Sequence, residues 1–235
     1  MLLKFRVCQF RIYNVTLYNR DMLNRIQTAI FLCSILVISA CSTPIPDATL
    51  QQVSVYSTSA AQPWLNNLYD CAVDASAVII LSNSPSNADI NLRVGEPEYL
   101  SAFAYQIDEE EILIVTHRQS PVQNLTLEEA QQLFAGLSDL SVALWVYASE
   151  EDVFEVFDQF VMNGRSVSSS AKVAVNPQQM SDVLNNESNA VGILPRHWKA
   201  GDVRDVYAAA TVPVLAITQT EPQGVVNQLI GCLQK

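Results

Sequence analysis

The sequence predicts an α/β protein built from mixed sheets in two lobes, and three observations carry that prediction. Short apolar runs of strand length alternate with amphipathic stretches of helical spacing, an order suited to parallel or mixed sheets covered on both faces. No repeat, heptad, low-complexity tract or long linker interrupts residues 50–235. About 190 residues follow Cys41, enough for one large or two small lobes with a real core. The expected lobes are residues 50–118 with 209–235, and residues 119–208, sharing strands that break near Arg118 and Ala208.

The first elements lie in the stretch from Val53 to Cys71. Val53, Val55 and Tyr56 read as a strand, Ser57-Thr58-Ser59 as the turn leaving it, and Leu65, Leu68, Tyr69 and Ala72 as the apolar stripe of a helix. Such a turn aims backbone N–H groups and the positive end of a helix dipole at one spot, which suits a carboxylate, phosphate or other anion. Ser59-x-x-Gln62 also fits a capping box with Pro63 in the first turn, so the turn either receives an anion or caps its own helix.

Ala77 to Leu81 is a strand-length apolar run, followed by a dense turn signal from Ser82 to Asn87. Asp89 to Val94 alternates polar and apolar residues, and Ile112 to Thr116 is a buried strand. The acids Asp108-Glu109-Glu110-Glu111 cannot all face one cation and read as a solvated turn. Thr126-x-x-Glu129 is a capping box opening a helix that ends at Gly136; Ser141 to Tyr147 is a strand. Ser149 is expected to cap a helix that begins with acids and carries Val153, Phe154, Phe157, Phe160 and Val161, ending at Asn163-Gly164. Ala171 to Val175 is a strand, and Asn176-Pro177 opens another helix. Val191 to Leu194, Val203 to Val206 and Val212 to Ile217 are three further strands before a final helix from Gly224 to Leu233.

Charge is unevenly spread. Beyond Cys41 there are eight basic against 23 acidic side chains, near −15, which argues against nucleic-acid partners and against docking on an anionic membrane surface. The N-terminus reads as an address. Ala29 to Ala40 is a nearly apolar run behind Arg25, too short to span a bilayer, and Ile38-Ser39-Ala40-Cys41 is similar to a bacterial lipobox whose cysteine is lipidated, the other reading being a plain secretory peptide or an N-terminal anchor helix. Counted from Met22 the segment has an ordinary length. Residues 1–21 are therefore expected to be a mis-assigned extension, 22–40 the signal peptide and 41–49 a tether to a lipid anchor at Cys41. Export leaves Cys71 and Cys232 as a disulfide candidate, the other reading being two buried thiols. That bond would close a loop of about 160 residues and stabilise by about 4–5 kcal/mol on chain-entropy arithmetic.

Catalytic chemistry is thin. The two histidines, His117 and His197, belong to no HExxH pattern, and CxxC, GxSxG and Walker patterns are missing too. His197 reads as a surface-loop residue, and Ser57 has no local base to activate it. The sequence supports no enzyme, no cofactor and no metal site.

Several segments resemble the phosphate-binding-protein-like substrate-binding domains of ABC importers. Pro121-Val122, Leu125-Thr126, Glu128 and Leu133-Phe134-Ala135-Gly136 match one conserved-looking run of that family in order and spacing. So do the strand–Ser57-Thr58-Ser59–helix unit, Ala88-Asp89-Ile90, Ile112 to Val115, and Ala190-Val191-Gly192-Ile193-Leu194-Pro195. The resemblance implies the periplasmic-binding-protein type II fold, a ligand clamped between lobes, and an ABC permease as partner of a monomer. It carries over Ser57, Thr58 and Ser59 as ligand donors, with Asp89, Arg93 and Ser149 beside them, and Tyr105 and Tyr147 as cleft residues by placement. The departures bear on the ligand. Phosphate-specific members have an arginine and a Ser-Gly-Thr loop where this chain has Ala148-Ser149-Glu150-Glu151-Asp152, and a Gly-rich loop where it has Ser82 to Ser86. The function implied is a lipid-anchored solute-binding protein for a small polar or anionic ligand, phosphate not favoured. The alternative is a sensor or interaction domain on the same fold.

Overall fold

The computed structural model describes residues 50–100 and 102–235; the extension, signal peptide, tether and Cys41 expected from the sequence lie outside them. Eight strands are present among the described residues: β1 (Gln51–Ser57), β2 (Ala77–Leu81), β3 (Ile90–Val94), β4 (Phe103–His117), β5 (Ala143–Tyr147), β6 (Lys172–Ala174), β7 (Ala190–Pro195) and β8 (Val203–Thr218). They form one mixed sheet in the order β2-β1-β3-β8-β4-β7-β5-β6. The outer strands pair in parallel, while β8 runs antiparallel to β3 and β4, and β4 antiparallel to β7.

Helices α1 (Leu65–Asp74), α2 (Leu127–Phe134), α3 (Asp152–Phe157), α4 (Pro177–Asn186) and α5 (Gly224–Leu233) cover the sheet. Val53, Val55, Ile90 and Leu92 are fully buried in the half that carries α1 and α5, whose stripes contribute Leu68 and Leu229. Cys71 and Cys232 join those two helices as a disulfide, with Cα atoms 5.9 Å apart. In the other half Phe134 of α2 meets Phe157 of α3 edge-on at 4.8 Å between ring centroids. Gly192 allows α4 to press on β7, since a Cβ there would stand 2.5 Å from the Met180 sulfur. Thr126 forms the full capping box with Glu129, and Asn176 caps α4 by accepting from the Gln179 N–H.

Two expectations need correction. The acids 108–111 do not form a turn: they lie within β4, which runs unbroken to His117, and the two expected strands near 203–217 are the single β8. Three of these acids have partners on other elements, and Glu110 among them is buried. Asp108 accepts from the Trp64 indole at 2.8 Å, Glu111 from Arg196 at 2.6 Å, and Glu110 bonds His197 Nδ1 at 2.8 Å. Burial pushes the Glu110 carboxyl above its ordinary range even though His197 pulls it back. Irregularities in the β4–β8 register at Gln106/Asp108, Ile112/Leu113 and Ile114/Val115 let these long strands bend as they pass through the middle of the sheet.

Candidate functional site

One wall of the site is the turn after β1. The Ser57 hydroxyl turns back to the Thr58 carbonyl at 3.0 Å, and the Thr58 N–H bonds the Leu92 carbonyl of β3 at 3.0 Å. The capping box expected at Ser59 does not form. A 3-10 turn, Gln62–Trp64, precedes α1, and no side chain caps it through Ser59. Thr58 takes the nearest orphan donor instead, accepting from Ala61 N–H at 3.3 Å. Ser59 donates to Glu151 Oε2 at 2.8 Å, because a carboxylate is a stronger acceptor than any group in its own turn.

The opposite wall is the start of α3. Ser149 does not cap that helix; Glu151 occupies the cap position, and the Ser149 hydroxyl lies 3.3 Å from Glu150 Oε2. Asp152, only 2% exposed, crosses to the first wall. Its Oδ2 accepts from the Thr58 hydroxyl at 2.6 Å and from the Val94 N–H at 2.9 Å, and its Oδ1 from the Val153 N–H at 2.9 Å. Gly95 makes the approach feasible. Its φ of +75° suits a residue without Cβ, and a Cβ there would stand 2.6 Å from Val156 of α3. Burial raises the Asp152 carboxyl despite the hydrogen bonds from Thr58 and Val94 and the charge of Arg93. Burial also raises Glu151, with Asp152 and Glu150 adding to it and the Ser59 bond opposing it.

Beside this clasp lies a pocket of about 380 Å³ bordered by Tyr56, Asn91, Arg93, Tyr99, Glu150 and Asp152. Tyr56 pairs with Asn91 across β1 and β3, and Asn91 with Ile217 across β3 and β8, which sets the three on one face of the sheet. Only a 3-10 turn, Pro85–Asn87, separates β2 from β3, so that connection brings no α-helix over this face. Asn91 is 8% exposed and its Oδ1 has no hydrogen-bond partner among the described residues. Arg93 is committed elsewhere, to Glu155 at 2.6 Å and to the Gly95 carbonyl at 3.1 Å.

The structure thus brings Thr58, Arg93 and the neighbours of Ser59 to one place. Asp89 lies apart, its carboxylate accepting from the Ser54 N–H and hydroxyl at 2.8 and 2.7 Å, and it borders a different pocket with Thr218 and Gln223. Tyr105 packs half-buried against the core, opposite Ala216 in the sheet. Ser149 borders a second, acidic cavity with Glu96, Glu98 and Asp158. Tyr147 is buried with a hydroxyl that has no partner among the described residues, and burial with the charges of Asp152 and Glu151 pushes its pKa well above the ordinary phenol value. The sequence presents Glu151 and Asp152 as the acidic start of a helix and as a departure from phosphate-specific members, and it offers neither Tyr56 nor Asn91 as a site residue. The alternation of Asp89 to Val94 could have put Asn91 and Arg93 on one face.

A continuous sheet with two long central strands, and two helix-bearing halves meeting at these walls, is a known arrangement. The chain has the type II periplasmic-binding-protein fold. A Clostridium perfringens protein described as a phosphate ABC transporter substrate-binding protein, with phosphate bound, superposes with a TM-score of 0.69 at 13% identity, over 78% of this chain and 93% of that one. An ABC-type phosphate transport receptor from Vibrio cholerae gives 0.62 at 14% identity, with the same 78% and 93% coverage. The reduced regulatory domain of OxyR2 from Vibrio vulnificus gives 0.60 at 9% identity, over 80% of this chain and 96% of that one. No protein-family model matches the sequence, and no curated protein does. The type II fold thus serves both solute-binding proteins and regulatory domains among these neighbours, none of which is described as an enzyme. No described helix is long and apolar enough to cross a membrane.

Proposed function

We propose that the chain is an extracytoplasmic solute-binding protein, anchored through a lipidated Cys41, that takes a small polar ligand in the pocket beside Thr58 and presents it to an ABC permease. In this reading residues 50–118 with 209–235 and residues 119–208 are its two lobes, and it works as a monomer. One observation carries it: the pocket is bordered from both walls, by Tyr56, Asn91 and Arg93 on one side and Glu150, Asp152 and Glu155 on the other. The export signal supports it independently.

Phosphate is disfavoured because the hydroxyl of Thr58 and the N–H of Val94 already donate to Asp152, and that of Ser59 to Glu151. A free oxyanion would have to displace two carboxylates and then sit among them. Thermal melting against a panel of small polar solutes tests the reading. A true ligand at 100 times its Kd stabilises by about 2.7 kcal/mol, and phosphate and sulfate give no shift. The same clasp favours a second reading, an interaction domain whose walls are held together by its own side chains. Invariant melting with every solute selects that one.

A further inference from the structure

We infer that the ligand of the pocket beside Thr58 presents a protonated amine to it. This rests on the solute-binding reading above and names the chemistry of that site.

The charged groups bordering the pocket are mostly carboxylates. Glu150, Asp152 and Glu155 stand against the single cation Arg93. Arg93 has no free role there, since its Nε donates to the Gly95 carbonyl and its Nη2 to Glu155. With Arg93 and Glu155 paired to each other, an anion entering the pocket would meet Glu150 and Asp152 and no uncommitted counter-charge. A neutral ligand can donate to a carboxylate but brings no counter-charge. An ammonium supplies three donors and the missing positive charge at once.

Asn91 is the independent sign that something belongs here. The residue is more than nine-tenths buried and borders the pocket, and its Oδ1 has no partner among the described residues. Leaving a buried amide oxygen unpaired costs on the order of 1–3 kcal/mol, which a donor-bearing ligand would recover. Tyr56 and Tyr99 add aromatic surface of the kind that attracts a cation. The approach is acidic too, because the adjoining cavity is bordered by Glu96, Glu98, Glu155 and Asp158.

The test is calorimetric titration of the whole chain with primary amines from ethanolamine to 1,4-diaminobutane, beside their hydroxyl and carboxylate counterparts of equal size. The expected result is binding by an amine and none by its counterparts, with affinity reduced about tenfold in Asn91→Leu and Glu150→Gln proteins that melt like the parent. Preference for a diol or a dicarboxylate overturns the amine assignment while leaving a solute-binding protein. Amine binding indifferent to both substitutions moves the amine elsewhere and also overturns it. No heat from any solute removes the amine assignment and the solute-binding reading together.

Discussion

The carboxylate of Asp152 accepts a 2.6 Å hydrogen bond from the hydroxyl of Thr58, joining two residues 94 positions apart. The turn that the sequence read as either an anion receiver or a helix cap meets carboxylates of the protein itself, through the hydroxyls of Thr58 and Ser59 rather than through its backbone N–H groups. The Val94 N–H, 2.9 Å from the same Asp152 oxygen, completes the reception. With Ser59 bonded to Glu151 at 2.8 Å, three donors of the first wall are engaged by side chains of the second.

Replacing Asp152 with alanine leaves the Thr58 hydroxyl and the Val94 N–H without their acceptor in a buried place. The expected loss is about 2–4 kcal/mol of folding stability, read as a lower urea midpoint. Asp152→Asn keeps an acceptor oxygen and is expected to lose less than half of that.

Acidity acts through the same residues. Asp152, Glu151 and Glu110 all have folded pKa values raised above their ordinary values of 3.8, 4.5 and 4.5. A raised carboxyl binds its proton more tightly in the folded state, so the folded form is favoured at low pH. That advantage is lost as pH climbs from the unfolded value through the raised folded one. Stability attributable to these groups therefore falls with rising pH. Thermal melting is expected to show a higher Tm near pH 5 than near pH 7.5, with a shallower difference in Asp152→Asn.

The Cys71–Cys232 bond spans 161 residues and ties α1 to α5. Reduction, or a double serine substitution, is expected to cost about 4–5 kcal/mol, read as the shift of the urea midpoint with and without reductant.

His197 supports the middle of the sheet. Its ring meets Trp64 at 4.6 Å between centroids and bonds the buried Glu110 at 2.8 Å. His197→Ala strands that carboxyl and removes the stacking partner, for an expected loss of about 2–3 kcal/mol in denaturant unfolding at pH 7.

Much of this was legible in the chain. Periodicity located all five helices, and residue chemistry alone identified the caps at Thr126 and Asn176, because those bonds are made within four residues. The long strands were not legible. Asp108 to Glu111 look like solvent-seeking residues until Trp64, His197 and Arg196, distant in sequence, are brought opposite them. The site was half legible for the same reason. Thr58 and Ser59 announced donors, whereas their acceptors lie more than 90 positions away, and a local reading offered Ser59 and Ser149 as caps that their hydroxyls do not make. Asn91 carries no motif at all; its importance comes from being buried beside a pocket without a partner.

The most direct test is a calorimetric titration of the purified protein with phosphate at pH 7. If Asp152 and Glu151 occupy the donors of the first wall, the protein gives no saturable heat up to millimolar phosphate. Saturable binding in the micromolar range, with the Thr58–Asp152 contact displaced, would contradict the account.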